Sequence, residues 1–465
     1  MNTHTCQPVC RPLDATVTLP GSKSLTNRAL IIAALADGDS VLRGLLLADD
    51  TRLMIDALRE LGVRITVDET QCAAEVSGCG GHLPATEARL ACGNAGTVMR
   101  FGAALVSLGQ GVYELDGVAR MHKRPIGELV DVLRALGAGV EYTGEEGYPP
   151  LIVHAAGLRG GHVSFESPRS SQAVSALLMV APYARGDVFI DVRGDMPSVP
   201  YLRMTTAVME HFGVAVIEQY GDRPRRLRGE APTANPKDAE PPRDRQAASR
   251  TGSAARFIVE ATQRYRAAHY SIEPDASGAS YFLAAAAVAG GRVTVDGLGT
   301  ESIQGDARFV DVLERMGCHV DREPRRLTVT GPPESPALRG IDVDLGDMPD
   351  TAQTLAAVSL FATGPTVIRN VTNLRIKETD RLAALRTELS KLGARVEHRS
   401  DGLTIHPPEQ ISPCRIDTYD DHRMAMSFAL VGLRVPDIVI NDPGCTAKTF
   451  PDFFKRFEAM TTGAR

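Results

Sequence analysis

Five times along this chain a Leu- or Met-rich stretch of helical spacing runs into a glycine and then into a β-branched run. The copies read MIDALRELGVRITV, VDVLRALGAGVEY, TAVMEHFGVAVIE, VDVLERMGCHVDR and LRTELSKLGARVEH. Their glycines are Gly62, Gly137, Gly213, Gly317 and Gly393, at intervals of 75, 76, 104 and 76 residues. A period this regular means one supersecondary unit used repeatedly. Each glycine falls where a helix C-terminus calls for left-handed backbone.

A second element recurs six times, an Ala-rich apolar helix followed by a short turn and a strand. It reads NRALIIAALADGDSVLRGL, TVMRFGAALVSLGQGVYELDG, AVSALLMVAPYARGDVFIDV, ASYFLAAAAVAGGRVTVDGL, TAQTLAAVSLFATGPTVIRNV and HRMAMSFALVGLRVPDIVIND. Helices apolar on most faces belong inside the sheets they serve. The sixth copy runs into FPDFFKRFEAM with no strand after it, so DATVTLPG at the start of the chain is expected to supply the missing strand. The 104-residue interval holds the excess of residues 221–256, rich in Pro, Arg, Asp and Ala. Such a segment buries too little apolar surface to offset its ordering entropy and reads as a mobile surface insertion.

Composition narrows the function. Fifty-one Lys and Arg against 57 Asp and Glu give a net charge of −6, which argues against nucleic acid as a partner. The eight cysteines show no CxxC and no Cys/His pairing, as expected of reduced thiols. The N-terminus has no apolar signal core and no run reaches membrane-spanning length, so a cytoplasmic protein without membrane contact is expected.

Chemistry gathers where the six apolar helices begin. Each is preceded by a short polar turn: GSKSLTN, CGNAGT, PRSSQ, PDASGAS, GDMPDT and YDDHR. One such turn is an ordinary N-cap. Six at one register, aimed at a common cleft, would pool helix-terminal N–H donors into an anion site. Lys23, Arg28, Arg124, Lys377, Arg381, Arg423 and Lys448 fall in or near these turns, with Ser24, Ser170, Ser171 and Gln172 beside them. Lys377 and Arg381 would share a helical face if KETDR were helical. GxxxxGK[ST] is absent, which excludes a P-loop.

Taken together, GSKSLTNR, GNAGTVMR, SSQ, KETDRL, DDHRMAM and DPGCTAKTFPDF resemble the 3-phosphoshikimate 1-carboxyvinyltransferase (5-enolpyruvylshikimate-3-phosphate synthase) family over nearly the whole chain. The resemblance implies an α/β fold, a two-domain inside-out α/β barrel of six βαβαββ repeats, three per domain. Crossings near residues 21 and 270–273 would leave an N-terminal domain of residues 22–271, carrying the insertion, and a C-terminal domain of 1–21 and 272–465. It also implies transfer of an enolpyruvyl group from phosphoenolpyruvate to the 5-hydroxyl of shikimate 3-phosphate, by a monomer without metal or organic cofactor.

By the same resemblance, Lys23, Ser24, Arg28, Ser170, Ser171, Gln172, Ser198, Tyr201, Asp350, Asn373 and Lys377 bind shikimate 3-phosphate. Lys23, Gly96, Arg124, Gln172, Arg381, Arg423 and Lys448 bind phosphoenolpyruvate. Asp350 is implied as proton acceptor and Glu378 as proton donor, with Lys23 also catalytic; the residues alone leave open which carboxylate performs which step. Phe101 stands where many relatives carry Pro, a departure close to Gly96. The sister UDP-N-acetylglucosamine enolpyruvyl transferases usually carry a catalytic Cys on the loop matching GVARMHKRPIG, which here has none. A non-catalytic phosphate-metabolite sensor is disfavoured because Lys23, Asp350 and Glu378 are all present.

Overall fold

The computed structural model describes residues 2–196, 198–220, 223–226, 255–332 and 338–462. Its α-helices, in chain order, are α1 Lys23–Leu35, α2 Asp49–Glu60, α3 Gly96–Val106, α4 Gly127–Ala135, α5 Ser171–Val180, α6 Val199–His211, α7 Ala276–Ala289, α8 Phe309–Met316, α9 Ala352–Val358, α10 Arg381–Lys391, α11 His422–Ala429 and α12 Phe453–Thr461. The five repeat glycines close α2, α4, α6, α8 and α10, and all five are left-handed, with φ between +86° and +115°. A side chain there would add strain at every helix end, so the repeat is written in backbone chemistry.

The second unit shows the plan. Strand Glu87–Ala91 pairs parallel with Gln110–Asp116 across α3, and after α4 the strands Gly139–Tyr142 and Leu151–Ala156 form an antiparallel pair. Leu151–Ala156 also lies antiparallel to Gln110–Asp116, so the spatial order is first, second, fourth, third. Among the described residues there are six sheets: four have this four-strand order, that of the third unit adds a fifth strand, and that of the sixth has three.

The odd helices α1, α3, α5, α7, α9 and α11 are buried almost end to end; every residue from Leu25 to Leu35 of α1 is buried. The strands alternate buried and exposed positions, as Leu151–Ala156 does. Helices therefore sit inside and sheets outside, and each buried Leu or Ile contributes about 1.5–3 kcal/mol. The apolar interior forms two clusters. One is drawn from residues 25–272, the other from Cys6, Leu13 and residues 276–460. The halves around them are called here the N-terminal and C-terminal lobes. The chain passes between them twice, side by side: Gly21 bridges Pro274, and Ser22 N donates to Glu273 O at 2.8 Å. A Cβ on Gly21 would stand 1.8 Å from Gly44 O, so only glycine fits this passage.

Two expectations need correcting. The strand in DATVTLPG, Leu13–Thr18, does not complete the sixth unit; it pairs parallel with Gly291–Asp296 and opens the fourth. The sixth is completed by Thr3–Thr5, antiparallel to Val439–Asn441. The reason is tethering: Leu13–Thr18 leads within three residues into the passage at Gly21, beside Pro274 and the start of α7, so it must lie against the unit containing α7. The first unit likewise takes its first strand from far away, His269–Ser271 lying parallel to Asp39–Arg43.

The second correction concerns the insertion, whose ends are strands. Arg223–Arg226 pairs with Ile217–Tyr220, and the strand Ala255–Val259 pairs with both Val188–Arg193 and Ile217–Tyr220. Backbone pairing to a finished neighbour overrides weak local propensity, and Arg256 adds a two-point ion pair to Asp191. Residues 221–222 and 227–254, the rest of the expected mobile loop, lie outside the described residues. All eight cysteines are free thiols. Among the described residues no helix is long and apolar enough to cross a membrane.

Candidate active site

Five of the six polar turns open onto one narrow cleft between the lobes. It is lined by Lys23, Ser24, Arg28, Arg124, Ser170, Ser171, Gln172, Ser198, Tyr201, Asp350, Lys377, Glu378, Arg381 and Arg423, together with Thr97 and Pro349, which sequence reasoning did not single out. The turn before α7 lines none of it; its cap Asp275 instead takes a hydrogen bond from Lys23 N at 3.3 Å.

In the N-terminal lobe, α1 places Lys23 and Ser24 at its mouth and Arg28 beneath them. Arg28 is buried, yet neutral oxygens satisfy it: Nε donates to Thr205 Oγ1 at 2.7 Å, and Nη2 donates to Ser175 Oγ at 3.1 Å and Tyr201 O at 3.2 Å. Its guanidinium lies 5.4 Å from the centre of the Phe101 ring, so the departure at Phe101 supplies a cation–π floor. Ser170 caps α5, accepting from Gln172 N at 3.3 Å, and leaves Ser171 on the first turn facing the cleft. Ser198 takes left-handed backbone at the head of α6, and its N–H crosses the lobes to Gly346 O at 2.8 Å.

The C-terminal lobe brings charge. Asp350, on the 3-10 turn Pro349–Thr351, accepts from Arg423 Nη2 at 2.8 Å and Arg381 Nη1 at 3.1 Å, with Lys377 Nζ at 3.8 Å. Burial opposes ionisation there, but Arg423, Lys377, Arg381 and Lys23 together hold the carboxyl far below the usual carboxylate range. Glu378 behaves alike. Arg381 Nη2 donates to it at 2.9 Å and Arg124 Nη1 stands at 4.0 Å; against burial, these cations with Lys448 and Lys23 keep it well below the ordinary range. KETDR is not one helix. Lys377 ends the 3-10 turn Thr372–Ile376, whereas Asp380 caps α10 by accepting from Ala383 N at 3.1 Å. The break lets Lys377 and Arg381 reach Asp350 from two directions.

Three expected residues do not line the cleft. Gly96 opens α3 against it, where a Cβ would lie 2.6 Å from Arg124 Nη2, so the missing side chain makes room for that guanidinium. Asn373 is buried in the 3-10 turn with its Oδ1 unpartnered. Lys448 Nζ crosses the lobes to Asp50 Oδ1 at 2.7 Å and Asn94 O at 3.0 Å, while Lys23 Nζ donates to the other Asp50 oxygen at 3.0 Å.

Sequence reasoning missed three buried carboxyls that touch cleft residues, Asp50, Asp306 and Asp421. Asp421 lies inside the quoted DDHR motif and accepts from Arg381 Nε at 2.7 Å; Asp50 and Asp306 carried no local signal. Among the described residues no group of three or more His, Cys, Asp or Glu could hold a metal ion.

The family model for EPSP synthase (3-phosphoshikimate 1-carboxyvinyltransferase) matches residues 9–255 and 247–457. The chain is 47% identical to the 3-phosphoshikimate 1-carboxyvinyltransferase of Nostoc punctiforme over 450 residues, covering 97% of each. It is 47% identical to the chloroplastic enzyme of Arabidopsis thaliana over 468 residues, covering 98% of this chain and 84% of the plant protein. Among solved structures, EPSP synthase from Acinetobacter baumannii superposes with a TM-score of 0.74 at 24% identity over 99% of this chain and 97% of the other, which speaks to the fold. The enolpyruvyl transferase NikO from Streptomyces tendae gives 0.69 at 18% identity over 98% and 96%. With its inside-out repeats and its cation-lined cleft, the chain belongs to the EPSP synthase (3-phosphoshikimate 1-carboxyvinyltransferase) family.

Proposed function

We infer that this chain transfers the enolpyruvyl group of phosphoenolpyruvate to the 5-hydroxyl of shikimate 3-phosphate, releasing phosphate. The observation that carries the reading is convergence: side chains as far apart as Lys23 and Arg423 line one cleft. Two phosphates at about −1.5 to −2 each, plus two carboxylates, demand such a concentration of cations and helix N-termini. Arg offers two-point recognition and Lys a movable point charge.

We assign the shikimate 3-phosphate site to Lys23, Ser24, Arg28, Ser170, Ser171, Gln172, Ser198, Tyr201, Asp350, Asn373 and Lys377. Phosphoenolpyruvate is assigned to Lys23, Gly96, Arg124, Gln172, Arg381, Arg423 and Lys448. Asp350 takes the proton of the 5-hydroxyl and Glu378 delivers one to the methylene carbon, giving a tetrahedral intermediate that then loses phosphate. Glu378 is ionised among its cations, so it needs the second substrate to become an acid. The phosphoenolpyruvate anion draws on Arg124, Arg381 and Lys448, weakens their hold on Glu378 and raises its proton affinity. Proton delivery is thereby tied to the arrival of both substrates.

The working unit is a monomer, since one chain supplies every residue of the cleft, and its free thiols suit the reducing cytoplasm. The domains divide at residues 22–271 against 1–21 with 272–465, in keeping with the two apolar clusters. The test is phosphate release from purified protein with both substrates, then with each omitted. Release is expected only with both, without added metal. Absence of release, with turnover of the UDP-sugar in its place, would sink the reading.

A further inference from the structure

Behind the cleft, on the 3-10 turn Gly305–Arg308, Asp306 is 4% exposed. Its Oδ2 contacts Ser277 Oγ and lies 3.3 Å from the Tyr201 hydroxyl. That hydroxyl lies 3.5 Å from Asp350 Oδ2 on its other side. The second oxygen of Asp306, Oδ1, is buried without a hydrogen-bond partner. Tyr201 therefore stands between a buried carboxyl group and a half-buried one, with a single proton to give.

Two ionised carboxyls around one hydroxyl repel each other, which favours a proton on one of them. The surrounding cations decide which. Asp350 has three, at 2.8, 3.1 and 3.8 Å. Asp306 pairs with no Lys or Arg among the described residues; it is faced by Asp350, by Asp275 at the head of α7, by Tyr201 and Ser277, and at longer range by Arg423. An unpaired carboxyl oxygen is also cheaper to bury in the neutral form.

We propose that Asp306 is a carboxylic acid in the working enzyme and that its proton sets the direction of the Tyr201 hydroxyl. The acid donates to the Tyr201 oxygen, and Tyr201 in turn donates to Asp350. Asp306 is thus a positioning residue acting through Tyr201 on the base, an assignment that rests on the transferase reading. Burial, reinforced by Asp350, pushes its carboxyl up to about 7. Below that pH the chain of donors is intact. Above it, ionised Asp306 draws the Tyr201 proton away from Asp350 and adds a negative charge next to an anionic substrate, so activity falls as pH rises.

The experiment compares wild type with Asp306→Asn and Asp306→Ala. The amide of Asn donates to Tyr201 at every pH and carries no charge. The kcat/KM for shikimate 3-phosphate in wild type should fall through a limb near 7 that Asp306→Asn lacks. Asp306→Asn should lose about threefold in turnover and Asp306→Ala roughly thirtyfold, a loss of orientation that the amide rescues. Infrared difference spectra of wild type against Asp306→Asn should show a protonated-carboxyl band at about pH 6 that is gone by about pH 8.5. That band is read without turnover, so an inactive wild type would defeat the transferase reading while leaving the protonation of Asp306 still measured. A limb that persists in Asp306→Asn, a missing band, or equal losses in the two variants would overturn the proposal.

Discussion

Arg28 and Arg381 are equally buried, each 1% exposed, and their surroundings are opposite. Arg28, in the N-terminal lobe, is held by hydroxyls and carbonyl oxygens alone. Arg381, in the C-terminal lobe, binds Asp350, Glu378 and Asp421. Burial works against the charge on both. It brings Arg28 down to about 10, whereas the three carboxylates carry Arg381 above its ordinary value. One lobe therefore keeps a desolvated cation with no counter-charge, which an arriving phosphate or carboxylate satisfies. The other keeps a nearly balanced cluster, suited to moving protons. On the assignment proposed above, the N-terminal lobe serves mainly recognition, whereas the C-terminal lobe adds proton transfer to its share of substrate binding.

The largest effects should come from the balanced cluster. Asp350→Asn and Glu378→Gln preserve size and hydrogen bonding but remove proton exchange, and each is expected to cost roughly 10²–10⁴-fold in single-turnover rate. Calorimetric affinity for shikimate 3-phosphate should survive better in Glu378→Gln than in Asp350→Asn, since Asp350 is assigned to that substrate. Near-normal rates in Glu378→Gln would remove it as proton donor.

Next comes the arginine pair itself. Arg381→Gln strands carboxylates in a buried site and should cost about 3–5 kcal/mol of folding stability, read from denaturant unfolding. Arg28→Gln strands only neutral groups. It should unfold within about 1 kcal/mol of wild type while weakening shikimate 3-phosphate binding roughly a hundredfold, the loss of a strong charge-assisted contact. Equal destabilisation by the two variants would break the contrast between the lobes.

How much of this was legible depended on sequence distance. The five glycine caps and the polar turns are local features, legible because backbone geometry alone fixes a helix end, and five of the six turns line the cleft. Arg381 was legible as a cation. Its partner Asp421 lies 40 residues away and Asp350 lies 31 away, so the balance of charge that separates it from Arg28 was not. Asp50 bridges Lys23 and Lys448, 398 residues apart in its longer link, and no spacing rule reaches that far. Strand destinations failed for the same reason: only the strand in DATVTLPG was read, Thr3–Thr5 was not, and the passage at Gly21 decides which sheet Leu13–Thr18 joins.

The smallest effect tests the recognition side with one atom. Ser170 and Ser171 both line the cleft, but Ser170 Oγ also caps α5. Ser170→Ala would therefore mix a binding loss with about 1 kcal/mol of lost helix capping. Ser171, one residue inside the helix, has no capping duty and is the cleaner probe. Ser171→Ala should weaken shikimate 3-phosphate by about 1.5 kcal/mol, roughly tenfold, for one hydrogen bond to a charged group. Saturated enzyme should then turn over at a rate within about twofold of wild type, because the lost contact serves ground state and transition state alike. Calorimetry paired with single-turnover kinetics separates the two quantities. If the rate falls tenfold while affinity holds, Ser171 acts at the reacting atoms, and chemistry extends into the lobe assigned to recognition.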